Sequence, residues 1–333
     1  MNFSIKKSTL IFSLVIFCFV FRANAQTSAT NDSTSELTIY AMPTLHPLDW
    51  SSPASLYKSM RKCYLKTITL SDNYLLGHVA VKLKTPLLPK PLLVAQASAS
   101  ARERIDLVLN QKVGFGIMGI TLKGRLETEA ELTHKLNVYT KREKLAFIKY
   151  KISRKAAQRI LDFLQHYSAK TNGNFAPCDF YGGAFWPRYH NEGAGCSAFG
   201  ISLLELANVL PPEANEWKID VNIPMTIIGG EINQNKKIKN RTIKKTNSWY
   251  TGNGKMNSDY IRYFVYEPSI MFDWILNKYK SDDSTYRPIT ENGAPGLIVD
   301  ASTQEIDETQ DIFYQRPEPN LFIDYFYKRI EVK

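Results

Sequence analysis

Residues 191–210 read NEGAGCSAFGISLLELANVL: a small, glycine-rich approach, a single cysteine at 196, then an apolar run at helical spacing that the proline pair Pro211-Pro212 stops. A helix that begins at this cysteine offers it unpaired N–H groups and the positive end of a dipole, both of which favour a thiolate. The glycines and Ala194 before it permit a tight turn and let a substrate carbonyl approach the backbone. In that geometry the N–H of Cys196 can serve one side of an oxyanion hole. The same pattern also suits a small apolar residue that docks a helix onto a sheet. On these twenty residues alone both readings stand.

Outward from this stretch the chain alternates strand and helix signals. Residues 36–43 (ELTIYAMP) predict a first strand. Residues 51–66 predict a helix with Ser52 as N-cap and Pro53 at its first position. In 73–85 (NYLLGHVAVKLKT) the alternation and the β-branched valines predict a strand with His78 and Ala80 on one face and Val79 and Val81 on the other. A proline-rich turn leads to LLVAQAS (92–98), expected to be its antiparallel partner. VGFGIMGITLKG (113–124) predicts a further strand, and the charged 127–144 has no clear ending. LAFIKYKIS (145–153) predicts another strand. Ser153 then caps a helix whose apolar stripe is Ala156, Ile160, Phe163, Leu164 and Tyr167. The glycine- and aromatic-rich 171–195 has the length and composition of a functional loop. Beyond Pro211 the pattern is mostly β, interrupted by a helix over 268–280.

The totals bound the class. In the 333 residues, a positive start at Lys6 and Lys7, an apolar run from Leu10 to Phe21 and the Ala23-Asn24-Ala25 ending predict a signal peptide, 1–25, and an exported, periplasmic or secreted protein. Residues 26–36 predict a flexible lead-in. No other run is long enough to span a membrane. The formal net charge is +10, and 233–245 alone holds six basic residues and no acidic one. No aromatics interleave there, so the stacking platform of a nucleic-acid binder is missing. Of four cysteines, Cys63, Cys178 and Cys196 remain after processing, and an odd count leaves one thiol over unless chains pair. Whether Cys63 and Cys178 form a disulfide stays open. No metal-ligand spacing is present, and no cofactor is expected.

A nucleophilic cysteine needs a base, usually histidine. The five histidines are His46, His78, His134, His166 and His190, all upstream of Cys196. His78, early in a strand and after a glycine, is the leading candidate, and His190, on the loop, is the second.

YGGAFWPRYHNEGAGCSAF (181–199) resembles the nucleophile segment of the NlpC/P60 superfamily of papain-like cysteine hydrolases, and GHVAVKL (77–83) resembles that superfamily's histidine strand. Histidine before cysteine is the order of its circularly permuted branch, which includes the YiiX-like and lecithin:retinol acyltransferase-like proteins. The chain departs from the pattern at Gly195, where an acidic residue is common, and at Ala198, where glycine is. The resemblance spans roughly 76–211. It implies a Cys196–His78 dyad and a third residue on a neighbouring strand that orients the imidazole, for which Gln96 is the candidate. It also implies peptide, amide or lipid-ester substrates, with export pointing to the cell envelope. Tyr181 and Tyr189 flank the loop as candidate substrate-binding residues.

The expected fold is therefore α+β: a permuted papain-like core over 37–212, with an antiparallel sheet packed on the nucleophile helix, and a β-rich extension over 213–333. The expected function is an exported cysteine hydrolase or acyltransferase acting through an acyl-enzyme. The alternative from another class is a catalytically inactive envelope-binding or assembly module with the same fold. A third is a basic adhesion surface formed by 233–245.

Overall fold

The computed structural model describes residues 34–70, 77–170 and 175–331. In chain order the first half forms β1 (Ser35–Met42), α1 (Pro53–Leu70), β2 (His78–Lys84), β3 (Leu92–Val94), β4 (Gln96–Ser98), α2 (Ala101–Leu109), β5 (Leu122–Leu126), α3 (Glu129–Lys141), β6 (Ala146–Ile152) and α4 (Arg154–Ser168). The second half forms β7 (Phe180–Tyr181), α5 (Cys196–Leu206), β8 (Lys218–Pro224), α6 (Asn240–Lys245), β9 (Tyr260–Tyr266), α7 (Pro268–Tyr279), β10 (Arg287–Glu291), β11 (Ala294–Ala301) and α8 (Leu321–Glu331). The signal-like segment 1–25 and residues 26–33 of the lead-in lie outside the described residues.

The fold is mixed α+β around a six-stranded sheet of order β10-β11-β6-β1-β2-β3. Alternation along the central strands sends their side chains to two covered faces. Leu37, Ile39, Val79, Val81 and Ile148 join one core with Phe163 of α4 and Phe199 and Leu203 of α5. Met42, Ala80 and Phe147 join a second with Leu132 and Tyr139 of α3. The sheet is not wholly antiparallel as expected, because β11 runs parallel to β6. Parallel neighbours need a crossover. Helix α7, which packs on β1, β6 and β11, lies in the long connection between them. Residues on both sides of position 212 thus build one sheet.

Two segments differ from their sequence reading. LLVAQAS pairs with β2 only as far as Val94; after Ala95 the chain turns into β4, which pairs with β5 in a separate three-stranded sheet, β4-β5-β7. VGFGIMGITLKG is a 3-10 turn over Phe115–Met118 before it becomes β5. Its glycines serve the turn: Gly114 has φ of +58°, a conformation that costs glycine nothing. The ambiguous 127–144 is α3, opened by a capping box in which Thr128 and Glu131 satisfy each other's backbone N–H groups.

The opening stretch is α5. It is apolar on nearly every side because it is enclosed, packing on β2, β9 and α4. Gly200 sets its distance from β2. A Cβ there would lie 2.5 Å from Val79 Cγ1, a contact that no larger residue can make without moving the helix. Strands β8 and β9 form a two-stranded ribbon, with Ile261 and Tyr263 on its buried face. Helix α6, which carries the last part of the basic segment, packs on α1. Among the described residues no helix is long and apolar enough to cross a membrane.

Candidate functional site

Two local structures bring Cys196 and His78 together. Gly195 is the N-cap of α5 and supplies no side-chain acceptor, so Cys196 occupies the first helical position with unsatisfied N–H groups around it. His78 is the first residue of β2, directly after Gly77. It shares parity with Ala80, on the α3 side of the sheet, while its neighbour Val79 faces α5. At the strand's end the sheet no longer separates the two sides, and the ring can address partners from both.

The imidazole and the thiol lie close enough that each shifts the other's pKa. Burial alone raises the Cys196 thiol, yet the hydrogen bond and charge of His78 outweigh it. The Val79 N–H and the Ser197 hydroxyl add to this, and the thiol stands below its ordinary value. Burial likewise opposes charge on His78, but the thiolate and Glu127 lift it above the usual imidazole value. Both shifts favour a thiolate–imidazolium pair. Cys196 and His78 are only 8% and 9% exposed, so the pair is shielded from water. The sulfur also lies 3.9 Å from the Gly77 carbonyl oxygen and 3.9 Å from the Ser197 hydroxyl.

The side chain hydrogen-bonded to His78 is Glu127, while Gln96, the candidate from the sequence, is bonded elsewhere. His78 Nε2 donates to Glu127 Oε2 at 2.5 Å, which leaves Nδ1 for the thiol. Burial opposes the Glu127 carboxylate, but His78 and Lys135 of α3 hold its pKa below the usual value. Glu127 links β5 to α3: its N–H donates to the Ala95 carbonyl at 2.9 Å, and Thr128 follows it as the cap of α3. A bidentate pair between Arg125 and Glu131 brackets the junction. Gln96, fully buried, instead donates to the Cys178 and Phe180 carbonyls, tying β4 to the start of β7 and the turn before it. The turn at Ala95 is the cause, because it moves Gln96 off the strand that pairs with β2.

Tyr181, at the end of β7, lies near Cys196; burial first and the thiolate charge second push its hydroxyl well above the usual tyrosine value. Tyr263 of β9, absent from the sequence reading, also feels the thiolate charge, and burial first and that charge second raise its hydroxyl. Tyr189 packs elsewhere, edge-on to Tyr314 and under the Arg316 guanidinium. Of the other histidines, His166 bonds to the Asp162 carbonyl one turn earlier, and His190 is seated beside Phe313. Cys63, Cys178 and Cys196 are all free thiols. Cys63 donates to the His46 carbonyl, and burial together with Asp179 pushes Cys178 up to about 11, which makes it a poor nucleophile. Among the described residues no group of three or more His, Cys, Asp or Glu is placed to hold a metal ion.

Glu127 had a signal in the sequence. LKGRLETEAEL (122–132) runs a short strand into a Thr-x-x-Glu capping box, which places Glu127 where a strand becomes a helix. Tyr263 had only its alternation with Ile261. Comparison with family models, curated proteins and solved structures finds no match for this chain.

Proposed function

We propose that this protein is an exported cysteine hydrolase with a permuted papain-like, NlpC/P60-like catalytic core. Cys196 is the nucleophile, His78 the general base and acid, and Glu127 the residue that orients the imidazole. The observation that carries the reading is the buried grouping at the N-terminus of α5, where His78 is hydrogen-bonded to Glu127 and lowers the pKa of Cys196. A structural thiol has no need of a base, and a structural histidine has no need of a thiol.

The Cys196 thiolate attacks an amide or ester carbonyl, forming the C–S bond as the carbonyl π pair moves to oxygen. The Cys196 N–H stabilises that oxyanion. Collapse breaks the bond to the leaving group, which takes its proton from His78. His78 then deprotonates water, or another acceptor, which attacks the thioester and returns the thiol. The signal-like first 25 residues make cell-envelope peptides, amides or lipid esters the proposed substrates.

A second reading, a binding module that keeps this fold without turnover, is favoured by one observation: the dyad is nearly enclosed. Labelling of the mature protein with an activated ester separates the two. Rapid acylation confined to Cys196, lost in Cys196→Ala and reduced at least tenfold in His78→Ala, is the expected result. Acylation no faster than in Cys196→Ala would refute the hydrolase reading.

A further inference from the structure

We propose that Tyr263, from the β8–β9 ribbon, is a catalytic residue whose hydroxyl donates a hydrogen bond to the oxyanion formed when Cys196 attacks a carbonyl. This rests on the acyl-enzyme reading above and adds a donor to it from outside the segment that resembles the NlpC/P60 pattern.

Three features of the geometry carry the assignment. Tyr263 is 7% exposed on the inner face of β9, the strand that packs on α5. Its hydroxyl is pressed against Gly183: a Cβ at that glycine would lie 2.2 Å from Oη and 3.0 Å from Cε2. Gly183 in turn borders the start of α5, because a Cβ on Gly195 would lie 4.0 Å from the Gly183 Cα and 3.5 Å from the Gly182 carbonyl oxygen. Oη thus packs on Gly183, the glycine that borders Gly195 at the cap of α5. Burial and the nearby thiolate keep the phenol protonated, the state an oxyanion donor requires. The step involves no net proton transfer. As negative charge moves from sulfur to the substrate oxygen, Tyr263 keeps its proton and strengthens its hydrogen bond.

Two electrophiles test this on the mature protein, with no need to know the natural substrate. Iodoacetamide alkylates Cys196 by displacement at a saturated carbon and forms no oxyanion. p-Nitrophenyl acetate acylates it through a tetrahedral oxyanion. Tyr263→Phe should slow acylation by roughly 10²-fold, the scale of losing one oxyanion donor, while alkylation stays within about twofold and the melting temperature is kept. An unchanged acylation rate, or an equal fall in both rates, would overturn the assignment. Failure of the underlying reading has a different signature: wild-type protein that alkylates at Cys196 but acylates no faster than Cys196→Ala.

Discussion

At Cys196 two opposed influences meet, burial against the thiolate and the His78 hydrogen bond for it, and the second prevails. The consequence is measurable as a pH profile. Alkylation of Cys196 should titrate with a midpoint below 9.0, the thiol's ordinary value. His78→Ala removes the stabilising partner but leaves the burial, so the midpoint should move upward past that of wild type. Glu127→Gln acts one step further away. It takes the charge from the imidazolium's partner, so His78 should fall and the Cys196 midpoint should rise, by less than in His78→Ala. Gln96→Ala should leave the midpoint in place, because its amide binds the Cys178 and Phe180 carbonyls and not His78. A midpoint insensitive to Glu127→Gln would remove Glu127 from the site.

At the scale of elements, the close approach of α5 to β2 brings Cys196 toward His78. Gly200 against Val79 sets that distance, one strand residue from His78. Gly200→Leu should destabilise the fold by about 1–3 kcal/mol, the usual cost of overpacking a core, with a larger proportional loss of Cys196 acylation, since the helix must move off the strand. Denaturant unfolding alongside acylation rates checks this. A stable variant with wild-type acylation would show that the contact does not position the nucleophile. Most elements were legible because their periodicity is strong. The helix over 154–168 carries its cap and apolar stripe in plain order, and β1, β2 and β6 are short apolar runs buried on both faces of the sheet. LLVAQAS was misread because three strand residues, one turn and three more look like a single strand when the partner of each half is unknown. That one turn moves Gln96 off the strand beside β2 and into β4.

Across the whole molecule, the C-terminal part closes over the loop that leads to Cys196. Arg316 makes a bidentate pair with fully buried Glu192 at 2.8 and 2.6 Å, and Glu192 also accepts from the Trp186 N–H. Arg188 binds the Asp311 and Ile312 carbonyls, and Phe185 packs on Phe326 of α8. Arg316→Met strands a buried carboxylate and should cost about 3–5 kcal/mol near neutral pH. Burial already holds Glu192 above 4.5, the ordinary glutamate value, with Arg316 opposing it. Without Arg316 the folded-state value rises further. The deficit should be full well above that range and shrink as pH falls toward 4.5, where the carboxyl takes up its proton. Thermal melts of both proteins across pH 4–8 measure this, and a deficit that grows on acidification would contradict it.

The sequence by itself determined the local facts: a cysteine at the start of an apolar helix, a histidine at the start of an alternating strand, and their order along the chain. Such features depend on residues within one or two turns of each other, where spacing and side-chain chemistry are sufficient. Only the tertiary structure decided the partners, which are Glu127 for His78, the Cys178 and Phe180 carbonyls for Gln96, and β11 for β6. Those choices depend on where a strand turns and which layers meet at its end, and no local pattern in the chain encodes a contact between residues so far apart.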